Sequence, residues 1–353
     1  MAPLAKLSLG CSAFGSVFSE MSDDDCIEII EAAFTNGVTL LDTAPWYQTS
    51  EIVLGRCLAR LAPRYPRGMY TLNTKVGRYC DWHPDGGGGA MFDFSRKTVL
   101  AGFATSLERL QTDYVDTIQI HDLEFAEDIE QVLNETLPAL DELRAAGKAR
   151  RIGITSYDVN LLRTVCERSP VRIDSVLSYC RCTLNDRTLL ESGFVDYLKS
   201  QGIELINAAA VGMGLLCHND PPDWHPAPAE LKARAVAAAK YCQEHGVDLA
   251  KLALSFCFTQ PQIQTTLVSC VNMQQMGSNL AVLKQGLTAK EQACLQTVLK
   301  EFFPSSTHWE GVELAAHRAE QRALAASANG HGCGSVMAVA LVAGAALAYK
   351  RFS

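Results

Sequence analysis

Eight short runs of apolar, β-forming residues recur along this chain, with amphipathic helical stretches between them. The runs are Leu7 to Cys11, Val38 to Leu41, Tyr70 to Val76, Tyr114 to Ile120, Arg151 to Ile154, Ser175 to Tyr179, Ile203 to Ile206 and Gln264 to Ser269. Parallel strands must be joined by long crossovers, which are nearly always helical and right-handed. Eight such units in series therefore predict an α/β fold, a closed (β/α)8 barrel of the TIM type. The alternative is a doubly wound sheet, which would carry G-x-G-x-x-G at its first strand-to-helix turn; the sequence has no such motif. Gly86 to Gly89 is not followed by Lys-Ser/Thr, so it reads as a loop and not a phosphate cradle.

Length fits the barrel with material to spare. Such a fold takes about 250 residues, and the chain has 353. The surplus falls in an insertion from Arg78 to Phe94, after the third strand, and in a C-terminal tail. The expected partition is a barrel over 1–303, a helical or linker extension over 304–332, and a membrane segment over 333–349. The helix after the first strand is expected to start at Ser22, whose hydroxyl can cap it, with Asp23, Asp24 and Asp25 in the favoured first turn.

Composition removes several classes of function. With 48% hydrophobic residues the chain can bury a large core, which excludes disorder. A net charge of −8, with no basic stripe, excludes a partner that is read through its phosphates, so no nucleic acid is expected. The 13 cysteines form no C-x-x-C and read as reduced thiols of a cytosolic-type compartment; none pairs with a His at zinc spacing, so no metal is expected. From Cys333 to Tyr349 there is no charged residue, and Lys350 and Arg351 follow. That run reaches about 26 Å as a helix, the lower limit for crossing a bilayer. Behind a Gly-, Ser- and Asn-rich stretch from Ser327 to Gly332, it is expected to anchor a cytoplasm-facing barrel to an intracellular membrane. A last helix packed on the domain or on a partner is the other reading.

Barrel chemistry collects at the C-terminal ends of the strands. Asp42 closes the second run and Tyr47 lies five residues beyond it, past Pro45; Lys75 ends the third run and His121 follows the fourth. A free phenol has a pKa near 10 and is a poor proton carrier at neutral pH. A buried ammonium group favours the tyrosinate, a carboxylate holds that ammonium charged, and a His can orient a substrate oxygen. Asp42, Tyr47, Lys75 and His121 are therefore expected to share one cavity as a catalytic set.

The blocks Leu41-Asp42-Thr43-Ala44-Pro45-Trp46-Tyr47, Asn73-Thr74-Lys75-Val76-Gly77 and Ile118-Gln119-Ile120-His121-Asp122, with Leu107 to Asp116, resemble the signature blocks of the aldo-keto reductases. The likeness covers about residues 4 to 300. It implies a nicotinamide-dependent oxidoreductase in which Tyr47 is the acid/base, Lys75 and Asp42 tune it, and His121 orients substrate. Leu9 to Phe18, His121 to Phe125, Leu177 to Cys180 and Pro221 to Pro226 look most like the L-galactose dehydrogenase branch of that family. That likeness implies oxidation of the anomeric carbon of a free sugar, with substrate contacts at Phe14, Trp46, His121 and Asp122. The insertion, with Trp82, His83 and Asp85, reads either as a cover over the mouth that contacts sugar hydroxyls or as a solvated loop.

The resemblance also implies cofactor contacts. These are Ser12 and Ala13 after the first strand, Asp42, Thr155-Ser156 after the fifth, Val176 on the sixth, Ala209, Val211 and Gly214 after the seventh, and Ser269, Gln275 and Asn279 around the eighth. The pattern departs from the family in three places. Thr155-Ser156 replaces a Ser-Asn pair, Val176 replaces a Gln, and Ala208 or Ala209 stands where an aromatic would stack on the nicotinamide. Between Gln264 and Leu283 there is no Lys or Arg, and Gln275 takes the place of a phosphate-binding Arg, so NAD is expected over NADP. Two other functions stay open: an NADPH-dependent reductase of broad specificity, and a cofactor-binding regulatory protein without turnover. The sequence leaves the oligomeric state open.

Overall fold

The computed structural model describes residues 5–15, 20–80 and 90–329. Its strands are β1 (Leu7–Gly10), β2 (Leu40–Asp42), β3 (Thr71–Val76), β4 (Val115–Ile120), β5 (Ala149–Ser156), β6 (Ser175–Tyr179), β7 (Glu204–Ala208) and β8 (Thr265–Val268). Each pairs in parallel with the next, and β8 closes on β1 through Leu7↔Thr266 and Leu9↔Val268, so the predicted barrel is the fold. Side chains alternate along each strand. Leu41, Leu72, Ile118, Ile154, Val176 and Leu205 belong to the main core between sheet and helices. Leu40, Leu177, Ile206, Ala208 and Leu267 form a separate cluster inside the ring. Lys75 and Gln119 occupy inward positions of β3 and β4, both meeting Asp42 of β2. The lumen is thus ionic on its β2–β4 side and apolar toward β6–β8.

The helices follow local rules. Asp23–Thr35 starts at Ser22 with a reciprocal capping box, the Ser22 hydroxyl accepting from Asp25 N–H and the Asp25 carboxylate from Ser22 N–H. The helical stretch between β4 and β5 is interrupted: it consists of Ile129–Gln131, a π turn Val132–Thr136, and Leu137–Ala145. Pro138 has no N–H to offer a carbonyl one turn back, and Leu137 N–H reaches Val132 O in the wider π pattern. Between β6 and β7 the helical stretch is split into Thr188–Glu191 and Phe194–Gln201 at Gly193, whose φ of +71° is left-handed.

The insertion after β3 is closed at its foot by the pairing of Arg78 with Phe92, with Tyr79 N–H on Met91 O and Asp93 N–H on Gly77 O. Trp82, His83 and Asp85 lie outside the described residues. The tail is bolted to the barrel. Asn185 donates to Thr307 O and accepts from Thr307 N–H, Arg187 donates to Phe303 O, and Trp309 is buried in the main core. The helix Val312–Asn329 then runs through part of the stretch read as a linker. No helix among the described residues is long and apolar enough to cross a membrane, and the run from Cys333 to Tyr349 lies outside them.

Candidate active site

The four residues picked from strand ends converge. Lys75 Nζ donates to Asp42 Oδ1 and, at 2.9 Å, to Thr43 O. Asp42 Oδ2 accepts from Gln119 Nε2 at 2.7 Å, so both carboxylate oxygens are engaged. The Lys75 ammonium sits 5.0 Å from the centre of the Tyr47 ring, and the His121 ring meets Tyr47 edge-on at 5.8 Å. Asp42, Lys75 and His121 are buried.

Tyr47 owes its place to a tight turn. After β2 the Thr43 hydroxyl bonds that of Ser50 at 2.8 Å, and Ser50 Oγ donates to Cys11 O at 2.6 Å. Tyr47 N–H returns to Ala44 O, and Gln48 takes a left-handed φ of +52°. Gly15 packs so closely that a Cβ there would lie 1.9 Å from Tyr47 O.

Electrostatics set the protonation states. Burial alone would lower the Lys75 pKa, but Asp42 and Tyr47 outweigh it and push the ammonium above its ordinary value. For Tyr47 burial is the largest influence and pushes the phenol up; the pull of Lys75 opposes this without overcoming it. The expected net lowering of the phenol is therefore corrected, because here desolvation exceeds the pull of the cation. Burial depresses His121 to about 3, which keeps the imidazole neutral, and its Nδ1 is buried without a hydrogen-bond partner.

A residue missed in the sequence completes this side. Arg78, three positions past Lys75, is buried with its guanidinium 4.0 Å above the Trp46 ring, and Nη1 donates to Asp122 Oδ2 at 2.6 Å. Phe92 and Phe125 flank it at 5.1 and 5.8 Å. Asp122 is left-handed (φ +52°, ψ +63°), gives its N–H to the Thr155 hydroxyl at 2.9 Å, and lies 3.7 Å from His121 Nε2. Burial would raise its pKa, but His121 and Arg78 hold it below the usual carboxylate value. The clue in the sequence was a cation directly after Val76-Gly77, at the same strand end as Lys75. From above, His317 of the tail helix rests on Phe92 and Phe125 at 5.0 and 5.5 Å.

The implied cofactor side is brought together only in part. Ser269 Oγ donates to Gly10 O at 2.9 Å and accepts from Ser12 Oγ and Ala13 N–H, both at 3.2 Å, so three of those residues meet where β8 joins β1. Ala209, Gly212, Met213 and Gly214 are all left-handed, making a tight bend in which Gly212 N–H closes on Ala209 O. Val211 is half-buried in that bend. Asn272 caps the helix Met273–Gln285 by accepting from Gln275 N–H, the Gln275 side chain accepts from Val271 N–H, and Asn279 is buried. Of these features, the N-terminus of the helix Met273–Gln285 is the one that suits a dinucleotide diphosphate.

Three of the implied contact residues face the core or are engaged elsewhere. Val176 faces the outer core while its neighbour Leu177 points into the lumen, so Val176 offers nothing to a ligand there. Ser156 donates to Glu124 Oε2 at 2.6 Å and accepts from Asp158 N–H at 2.9 Å, which spends its hydroxyl inside the protein. Phe14, 1% exposed, is walled into the main core and presents no surface to a substrate. Trp46 borders the mouth beneath Arg78. Among the described residues no group of three or more His, Cys, Asp or Glu is placed to hold a metal.

Comparison with known proteins agrees with this geometry. Residues 6–300 match the model of the aldo/keto reductase family. The chain is 37% identical over 316 residues to L-galactose dehydrogenase of Arabidopsis thaliana, covering 86% of this chain and 95% of that protein. It is 33% identical over 272 residues to D-arabinose 1-dehydrogenase of Saccharomyces cerevisiae, covering 74% and 77%. Among solved structures, the holo form of an aldo-keto reductase from Bacillus halodurans superposes with a TM-score of 0.66 at 25% identity, covering 88% of this chain and 95% of that one. A barrel closed in series, a lysine, aspartate and tyrosine in contact at its mouth, and a match over most of the length lead to one conclusion: the chain belongs to the aldo/keto reductase family and is an oxidoreductase acting on CH–OH groups.

Proposed function

We infer that the chain oxidises the anomeric carbon of a free, L-galactose-like aldose to the aldonolactone, using NAD in preference to NADP. The observation that carries this reading is the Lys75 ammonium 5.0 Å from the Tyr47 ring and clamped by Asp42. The sugar 1-dehydrogenases among the relatives supply the substrate class. Ser12, Ser269, the bend over 209–214 and the helix Met273–Gln285 would hold the dinucleotide, which supplies the hydride acceptor when bound.

The chain's own part is proton handling and orientation. Oxidation of a hydroxyl releases one proton, and the Tyr47 phenolate oxygen is the group in place to take it. Lys75 favours that phenolate, and Asp42 keeps Lys75 charged and aimed. Neutral His121 can share a hydrogen bond with the substrate oxygen and hold it against Tyr47. The preference for NAD rests on charge: no Lys or Arg stands between Gln264 and Leu283 to receive a 2′-phosphate.

A raised phenol pKa also suits the reverse direction, with Tyr47 giving its proton to a carbonyl. Steady-state assays of L- and D-aldoses with NAD and NADP, against carbonyl reduction with NADH and NADPH, separate these readings. We expect the best kcat/KM with an aldose and NAD, and less than a hundredth of it in Tyr47→Phe. A panel in which no aldose reduces NAD, or in which NADP is clearly better, overturns the reading.

A further inference from the structure

We propose that Glu51 is a positioning residue for the proton transfer: its bond to the Thr74 hydroxyl fixes the distance between the Tyr47 phenol and the Lys75 ammonium. This rests on the proton-handling reading above and adds the group that holds its two partners in place.

The bond crosses an apolar layer. Leu72 and Val76 of β3 belong to the main core, and Thr74 stands between them on the same face of the strand. Opposite, the helix Ser50–Leu61 buries Val53, Leu54, Cys57, Leu58 and Leu61 along with Glu51. Thr74 Oγ1 donates to Glu51 Oε1 at 2.6 Å, and both residues are wholly buried. On its far side Glu51 Oε2 lies 3.7 Å from Arg109 Nη1 of the helix Arg96–Leu110. A buried carboxyl group costs free energy that an apolar side chain at the same place would not. What it supplies is direction, since a hydrogen bond weakens steeply off its axis whereas apolar contacts tolerate sliding.

Each end of this bond is joined to one member of the phenol–ammonium pair. Ser50, next to Glu51, gives its N–H to Tyr47 O at 2.9 Å, so Tyr47 and Glu51 ride on one tight turn. Thr74 precedes Lys75 on β3, and successive side chains of a strand point to opposite faces, so Thr74 reaches the helix while Lys75 reaches Asp42 in the lumen. Thr43 ties the same parts from β2, through its hydroxyl to Ser50 and its carbonyl to Lys75 Nζ; Glu51 closes the frame on the β3 side. A slip of the helix Ser50–Leu61 along β3 would move phenol and ammonium apart. The pull of Lys75 is what opposes burial at Tyr47, and it weakens with distance. Asp42, Asp122 and His121 are the other groups around the phenol, while Arg109, Lys75 and Tyr79 face Glu51. Loss of the bond should therefore leave the phenol harder to ionise. Loss of negative charge at Glu51 would by itself do the opposite, so the two effects differ in sign.

The test compares wild type with Thr74→Val, with Thr74→Ser, and with the double variant Glu51→Leu, Thr74→Val, in which both partners become apolar and the layer can repack. Aldose oxidation is followed between about pH 6 and 10, NADH binding by fluorescence, stability by thermal unfolding, and the Lys75-to-Tyr47 separation by crystallography. Thr74→Val should lower kcat tenfold or more at neutral pH, with the loss shrinking as pH rises and with KM and NADH affinity within twofold of wild type. Thr74→Ser, which keeps the hydroxyl, should restore the profile. The double variant should melt like wild type yet show the same upward displacement, although it has lost a negative charge. In its crystal structure the separation should widen by about 0.5 Å or more. The proposal is overturned if Thr74→Val keeps the wild-type kcat and profile, if kcat falls by one factor at every pH or in step with NADH affinity, which would make the bond scaffolding, or if the separation is unchanged. Failure of the wild type to oxidise any aldose would defeat the functional reading alone; the crystallographic separation then decides the role of Glu51.

Discussion

The two sides of the barrel mouth are built on opposite principles. On the β2–β4 side, Asp42, Lys75, Gln119, Arg78 and Asp122 are buried and held by ion pairs and hydrogen bonds, with neutral His121 buried beside them. On the β6–β8 side, Leu177, Ile206, Ala208 and Leu267 cluster inward with Tyr179 packed on them, and Val176 and Ala208 or Ala209 stand where the family has an amide and a stacking aromatic. A proton carrier must be fixed to within a fraction of an ångström, and buried ions achieve that because each must find its partner. A cofactor can be held by backbone N–H groups and shape, which many side chains permit. The first side is therefore narrowly specified and the second loosely.

The largest effect that could break this contrast is removal of the central cation. Lys75→Met should reduce kcat/KM by about a thousandfold and, by leaving Asp42 buried and unpaired, destabilise the fold by about 3–5 kcal/mol in urea unfolding. Lys75→Met with Asp42→Leu should regain most of that stability and none of the activity. Recovered activity would show that the ion pair serves the scaffold and not the chemistry.

Next comes pH. Because burial pushes the Tyr47 phenol up, its proton-accepting form grows as pH rises. kcat/KM for oxidation should climb through pH 9, while reduction, which uses the protonated phenol, should stay level over the same range. His121, depressed to about 3, should add no inflection between pH 5 and 8. A maximum for oxidation at or below pH 7 would contradict the order of influences on Tyr47.

The smallest effect sharpens the other side. Restoring the family's Gln at Val176 would bury an amide in the outer core and cost about 1–3 kcal/mol without improving NADH binding. The same change at Leu177, which faces the lumen, should tighten NADH by a few-fold. Titrations of both variants followed by fluorescence check this, and equal affinities would mean that the strand's facing does not govern contact.

What could be read from the sequence follows the same divide. The barrel was legible because each β run and helix repeats with its own period, and the catalytic set because Asp42, Lys75 and His121 stand at strand ends and Tyr47 lies in the turn just after one. Arg78 escaped because a lone cation after a glycine looks like any solvated loop charge until Trp46 and Asp122 fold against it. Val176 was misplaced because motif spacing does not report which face of β6 a residue takes. Ser156 was misassigned because Glu124, which takes its hydroxyl, lies 32 positions away. The broken helices near Pro138 and Gly193 were readable in principle, since both residues announce the interruption.

Gly15 carries a consequence for how this pocket can evolve. The loops after β1 and β2 are fused along a seam only a hydrogen atom wide, with the tyrosine's carbonyl on one side. Any side chain introduced there would shove the phenol away from its ammonium neighbour. New substrates must therefore be sought by remodelling other parts of the rim, while this seam of the scaffold stays bare.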